Sequence, residues 1–366
     1  MAGVNADTWE FDGSDSETSL LSNDDHGHRS NNLLPPLDRS QYTVGWLCAL
    51  SVEYTAARQF LDQRHQAPDD LPRNNDNHYT LGQFGKHNIV IAILPMGQYG
   101  NSSAAAALKD MINAFYKIRV ALMVGIAGGA PSKKHDIRLG DVVVSSPSHG
   151  HGGVLQYDFV KRIQSQEHAR QGPLNLPPSS LRAVVAALQT EYKERGHEVD
   201  RTIKAILRVR PQLRYGFRKP DLTTDRLYKS EVTHPANNEG CCDEVCGTQL
   251  EKLVERKRRS SRQDNPAIHY GVVASGKSLI KDAMLRDNLA LEDGVLCFEM
   301  EAARLMNWFS RLIIRGICDY ADTHKNKEGR GYAAMVAAAY SKDLLYQLPP
   351  HSVENERKLK DVVESD

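Results

Sequence analysis

The 366-residue sequence predicts an α/β protein built on a central sheet. Three observations carry this. Short apolar runs of strand length recur along the chain, stretches with helical spacing fall between them, and no internal repeat interrupts the alternation. Elements of this kind bury their apolar sides against one another, which gives a sheet covered by helices. With 40% hydrophobic and 25% charged residues, the chain has ample core material for one large domain or two small ones.

The elements follow in order. Residues 1–40 are rich in Asp, Ser, Asn and Gly and read as a disordered N-terminal tail. "YTVGWLCAL" (42–50) is a strand of buried type. In "SVEYTAARQFLDQ", Val52, Ala56 and Phe60 share a helical face, and Ser51 is placed to cap the start. "NIVIAILPMG" (88–97) is a strand and "GNSSAAAALKDMINAF" (100–115) an alanine-rich helix. "RVALMVGIAGG" (119–129) is a third strand ending in glycines, and "GDVVVSS" (140–146) a fourth. "PLNLPPSSLRAVVAALQTEYKERG" is a proline-led amphipathic helix. A basic insertion covers about 200–266: residues 201–229 carry nine Lys/Arg against two Asp, and "ERKRRSSR" (255–262) is basic too. Strands resume at "IHYGVVASG" (268–276) and "VLCFEM", followed by a helix over about 300–310 and the strand "LIIRGICDYAD" (312–322). "GYAAMVAAAYSKDLLYQL" (331–348) is a closing helix, and 349–366 a charged C-terminal tail.

Composition excludes several function classes. The formal net charge is zero, so nothing global points to nucleic acid. No apolar run reaches the roughly 18–20 residues that span a bilayer. The acidic N-terminus is not a secretory signal. Of the six cysteines, three sit in apolar segments as small core residues. A reducing, cytoplasmic location is the expectation.

Ligands of such sheets bind near strand ends, where loops gather. Glu53, the glycines of 125–129, Ser275–Ile280, Glu299–Glu301 and Asp319 all fall at such places. Two carboxylates flanking Met300 at the end of an apolar run are costly unless something pairs with them.

"FEMEAA" followed by "RGICDYAD" resembles the nucleoside phosphorylase superfamily, nearest in mechanism to its methylthioadenosine and adenosylhomocysteine nucleosidases. The resemblance spans about 42–347. "TTDRLYKSEVTHP", "IHYGVVASG", "VLCFEMEAA" and "RGICDYADTHKNK" are similar to the fungal phosphorylase-like domains found ahead of NACHT, ankyrin or TPR modules. It implies a three-layer α/β fold, with a central mixed sheet flanked by helices, over a catalytic domain of 41–348. It implies a sugar clamp of Glu299, Met300 and Glu301, with Glu301 accepting from the hydroxyls. Asp319 would be the acid near purine N7, and Glu53 the carboxylate that activates water. "SGKSLI" matches the base-binding loop, with Leu279 and Ile280 against the purine, and Ala127 and Gly128 complete the substrate-binding set. No cofactor or metal is implied, and a homodimer or larger assembly is.

The chemistry agrees with these residue types. Cleaving an N-glycosidic bond passes through an oxocarbenium-like sugar, so a carboxylate beside the sugar stabilises the transition state. A purine leaves poorly as an anion, and an acid near N7 contributes about 10²–10⁴-fold. Asp319 must then hold a proton, which an apolar or anionic setting favours. Blander readings stand beside these: Glu301 as a helix N-terminal carboxylate, Asp319 as a turn residue, Glu53 as an ordinary first-turn Glu.

A phosphorylase needs cationic and hydroxyl groups for phosphate. Met123 and Ile126 stand where the bacterial hexameric enzymes of the family have an Arg and a Ser, so hydrolysis is favoured over phosphorolysis. A catalytically idle nucleotide-binding domain is the third reading. Some domains resembling this one cleave ATP, and Arg214, Arg218, Lys219, Arg226, Lys229 and Lys277 form the pool for its phosphates, with Lys277, Arg226 and Lys229 foremost. "HPANNEGCCDEVC" offers His234, Cys241, Cys242 and Cys246, but adjacent cysteines are weak evidence for zinc, and no metal is assigned.

Overall fold

Strand β1 (Val44–Cys48) is buried at every position, because helices cover both faces of the sheet it belongs to. The structure, a computed structural model, describes residues 33–365 except 73–74, 99, 159, 162–168, 171–174, 261–264, 303–310 and 325–327. The expected tail up to residue 32 and most of the helix expected at 300–310 lie outside the described residues.

After β1 come α1 (Ser51–Gln59), β2 (Gln63–His65), β3 (His78–Phe84), β4 (His87–Ile93), α2 (Asn101–Ala114), β5 (Val120–Gly129) and β6 (Val142–Ser145). Next are β7 (Val154–Gln156), β8 (Val160–Lys161), β9 (Ala169–Arg170), α3 (Ser179–Arg195), α4 (Val199–Val209), α5 (Arg214–Phe217) and α6 (Cys242–Val245). The last third supplies β10 (Ile268–Ser275), α7 (Ala283–Glu292), β11 (Val295–Glu299), β12 (Leu312–Asp319) and α8 (Arg330–Gln347).

The sheet runs β11-β10-β6-β12-β5-β1-β4-β3-β2 and is mixed. β1 pairs in parallel with β4 and β5, and β5 with β12, whereas β12 meets β6 antiparallel. β11 folds back to pair antiparallel with the end of β5, Cys297 opposite Gly129 and Phe298 opposite Gly128. That contact closes β5, β12, β6, β10 and β11 into a ring. It also brings the C-terminal end of β12, with Asp319, beside the C-terminal end of β11, with Glu299.

Alternation assigns the two faces. Val44, Trp46 and Cys48 join α1, α3, α4 and α8 in one core, while Leu47 and Ala49 pack with α2 in the other. The alanine-rich α8 is buried along most of its length, because it packs on β5 and β12 and is flanked by α1, α3 and α4 in the same helical layer. The three-layer α/β architecture is therefore observed.

Several details differ from the sequence reading. Residues 34–40, read as part of the tail, are ordered: Leu34 pairs with His65 and Asp38 caps a 3-10 turn at Arg39–Gln41. Helix α1 begins after Leu50 and Ser51 lies inside it without capping; Glu53 instead accepts the N–H groups of Ala49 (2.7 Å) and Leu50 (3.0 Å). Part of the basic insertion is α4, an amphipathic helix that buries Val199, Ile203 and Leu207. From residue 350 the charged segment forms two short helices that bury Val353 and Leu359.

Candidate active site

Strand β12 places two functional side chains on the sheet: Arg315 in its middle and Asp319 at its end. Arg315 is 1% exposed, and a guanidinium at that depth requires carboxylates. It has three. Its Nη2 pairs with Glu299 Oε2 and lies 3.2 Å from Glu301 Oε2, and its Nη1 lies 4.0 Å from Glu53 Oε1. Burial opposes the Arg315 charge, but Glu299, Glu301 and Glu53 overcome it and push its pKa above the usual Arg value.

Glu53 is held from several sides. Besides the amides of Ala49 and Leu50 on Oε2, its Oε1 accepts from Ile126 N at 2.9 Å. Burial raises the Glu53 pKa, while Arg315 and the three amide hydrogen bonds pull it down. Gly125 makes the arrangement possible: a Cβ there would collide with the Glu53 carboxylate and the Arg315 guanidinium.

Glu299 and Glu301 have different tasks. Glu299 accepts from Glu301 N and Ala302 N, each at 3.1 Å, and pairs with Arg315. It lines the cleft, yet its oxygens are engaged in shaping the 299–302 turn. Among the described residues Glu301 has fewer partners: Arg315 and, at 3.4 Å, Met300 N. Burial raises its pKa, Arg315 lowers it, and Glu299 and Glu53 raise it further. The net direction is upward, because burial, together with the two neighbouring carboxylates, outweighs the one cation.

Gly128, Leu279, Ile280, Glu299, Met300 and Asp319 line one cleft. Asp319 Oδ1 accepts from Ala321 N at 2.9 Å, and Cys318 Sγ lies 3.7 Å from Oδ2. A Cβ on Gly128 would stand 2.7 Å from Asp319 Oδ1, so this position admits only glycine while the acid keeps its place. The glycines of "GIAGG" thus lie within β5 and make room for Glu53, Arg315 and Asp319 instead of turning the chain. Ala127 is buried in the same strand.

Leu279 is half exposed at the cleft, and the aromatic surface comes from Phe298, which the sequence reading left unassigned. Tyr157, also unassigned, stands edge-on to Phe298 at 5.8 Å and donates to Ser278 O at 2.7 Å. Asp158 accepts from Lys277 N at 2.8 Å, so residues 157–158 brace the loop at 277–280. Lys277 is exposed beside the cleft, whereas Arg226 pairs with Asp243 and Arg214 donates to the carbonyls of Leu207 and Arg208. Lys229 donates its backbone N–H to Lys252 O in the same excursion.

Fold and site together define a nucleoside phosphorylase-type α/β domain. Residues 43–207 match the model of the phosphorylase superfamily. That match, together with the fold, supports a nucleoside phosphorylase-like domain. It is 42% identical over 323 residues to a nucleotide-binding leucine-rich repeat (NLR)-like protein of Hyaloscypha variabilis, covering 88% of this chain. The chain spans 31% of that relative's length. The 5'-methylthioadenosine/S-adenosylhomocysteine nucleosidase of Mycobacterium bovis is 23% identical over 314 residues, 84% of this chain and 97% of that protein. The crystal structure of the Neisseria meningitidis nucleosidase of the same name, in complex with methylthio-immucillin-A, superposes with a TM-score of 0.51 at 16% identity, covering 84% of this chain and 99% of that one. At that identity the likeness speaks for the fold.

Proposed function

We propose that the domain spanning 41–348 is a purine nucleosidase, which hydrolyses the N-glycosidic bond of an adenosine-type nucleoside or nucleotide to free base and sugar. The observation that carries this reading is the setting of Glu53. The amide of Ile126, in the glycine stretch where a phosphate nucleophile would seek donors, is already given to a carboxylate. An anion arriving there would meet negative charge, whereas water meets a base.

In this reading Glu53 takes a proton from water as it attacks the anomeric carbon. Glu301 accepts from the ribose hydroxyls and faces the growing positive charge, with Met300 against the sugar. Asp319 gives its proton to N7 of the leaving base. Phe298 and Ile280 contact the purine. Arg315 touches no substrate and fixes the three glutamates.

The test is adenine release from adenosine, methylthioadenosine, AMP, ADP and ATP in phosphate-free buffer. Release of adenine with free ribose or its 5'-substituted form is expected. A strict requirement for added phosphate, with ribose 1-phosphate as product, overturns the hydrolytic reading. Release from none of the five leaves the idle nucleotide-binding domain as the better account.

A further inference from the structure

The excursion between β9 and β10 brings metal-binding side chains together. His234 Nδ1 lies 3.1 Å from Cys246 Sγ and 3.5 Å from Cys242 Sγ. The three ligand atoms lie within 4.8 Å of one another. Around a tetrahedral zinc, with its usual bond lengths to sulfur and imidazole nitrogen, such atoms stand about 3.5 Å apart. Cys241, counted with them in the sequence, is exposed and outside the trio.

The tautomer of His234 is set by its other nitrogen. Nε2 lies 2.7 Å from the carbonyl oxygen of Asn238, which can only accept, so Nε2 carries the proton. Nδ1 then presents its lone pair to the two sulfurs. A ligand histidine whose second nitrogen donates to a carbonyl is the common outer-shell pattern of metal sites.

An independent observation points to the same place. The side chain of His324 is 5% exposed, and among the described residues neither of its ring nitrogens has a hydrogen-bond partner. Buried imidazoles are ordinarily satisfied, and leaving both nitrogens without a partner is costly. The ring is stacked on Tyr228 at 3.9 Å and stands edge-on to His234 at 6.2 Å. Asp322 Oδ2 lies 3.6 Å from its Nδ1, where a slight approach would complete a carboxylate–histidine pair and leave Nε2 to ligate.

We propose that His234, Cys242 and Cys246 bind a zinc-class divalent cation, and that the His324 ring, which lies outside their 4.8 Å set, moves in as the fourth ligand when the ion binds. Four protein ligands leave no open position, so the cation is structural and takes no part in bond cleavage. Its effect is mechanical. His234 N donates to Thr323 Oγ1 at 2.8 Å, Tyr228 OH donates to the carbonyls of Cys242 and Gly247, and Lys252 Nζ donates to Cys246 O at 2.7 Å. The cation would fasten this excursion to residues 323–324, shortly after Asp319. Arg256 and Asp225 grip Tyr320, the residue next to Asp319, from the same excursion.

The experiment measures zinc by elemental analysis in the full chain, purified without chelator, together with its affinity by chelator competition. One zinc per chain is expected. Cys242→Ser and Cys246→Ser should lose it, Cys241→Ser should keep it, and His324→Ala should bind at least about tenfold more weakly. Cobalt added to the zinc-free protein should give sulfur-to-metal charge-transfer bands, and zinc should raise the melting temperature of the wild type. Folded wild-type protein that neither retains nor takes up zinc overturns the proposal. So does a Cys242–Cys246 disulfide in the native protein, or a Cys241→Ser variant that loses zinc as Cys246→Ser does.

Discussion

Arg315 Nη2 lies 3.2 Å from Glu301 Oε2, with the arginine side chain 1% and the glutamate side chain 10% exposed. The cation is thus shared between a residue of the proposed sugar clamp and, through Nη1, the proposed base Glu53. Removing it would leave buried carboxylates facing one another. Arg315→Met should cost about 3–5 kcal/mol of stability, the usual loss when one partner of a buried pair is deleted. The pKa values of Glu53 and Glu301 already lie above the ordinary value and would rise further. A raised carboxyl pKa contributes stability that is complete below the unfolded value, about 4.3, and is lost as pH rises through the folded value. The variant's melting temperature should therefore fall further behind the wild type at pH 8 than at pH 5. An equal deficit at both pH values would show that Arg315 does not hold the carboxylates in check.

Glu53→Gln should keep nucleoside binding and lose turnover by at least about 10²-fold, because an amide cannot take the proton from water. In the wild type, kcat/KM should decline as pH falls through the Glu53 pKa, and that limb should lie above the ordinary carboxylate value of about 4.3. Isothermal titration with substrate analogue and a pH–rate series check the two halves. Binding lost with residual turnover unaffected would make Glu53 a structural residue.

Asp319→Asn should lower turnover by at least about 10²-fold while the protein stays folded. Asn can still accept from Ala321 N through its amide oxygen, so the loop geometry is retained. Comparing adenosine with a substrate whose leaving group needs no protonation separates the roles: the second should be far less affected. Near-normal adenine release by the folded variant would place the acid elsewhere.

The finer choice between nucleoside and nucleotide turns on Lys277. It is exposed beside the cleft, while Arg226 and Arg214 are engaged elsewhere. If phosphates reach this rim, a charge-assisted contact contributes about 1.5–3 kcal/mol, and Lys277→Ala should reduce ATP cleavage by roughly tenfold or more with adenosine cleavage unchanged. Raised salt should act in the same direction. Equal effects on adenosine and ATP would remove the phosphate role.

Much of this was legible in the sequence, and the exceptions have physical causes. β1, β4, β5, β6, β10, β11 and β12 are read as apolar runs because buried strands need little polar surface. β3 escaped, since "HYTLGQF" alternates polar and apolar residues near the sheet's edge and reads as loop. α4 was hidden by its surroundings: residues 201–229 carry nine Lys/Arg against two Asp, while the helix itself buries Val199, Ile203 and Leu207. The cleft residues Gly128, Leu279, Ile280, Glu299, Met300 and Asp319 were all named in advance from motif resemblance. Arg315 was not, although one charge inside "LIIRGICD" is a signal that buried carboxylates must exist to meet it. Which carboxylates they are is a question of long-range contact, and spacing along the chain does not answer it.

The ring closed by β11 against β5 has a consequence for the order of events during synthesis. Glu53 leaves the ribosome long before its guanidinium partner on β12, and the end of β5 waits for strands from the last third of the chain. Until then an anionic side chain and an unpaired strand end are open to solvent and to other chains. Pairings so distant in sequence form slowly, and the intermediate carries the hazards of an exposed edge. Truncation anywhere before Asp319 should therefore yield an aggregation-prone fragment instead of a smaller folded domain.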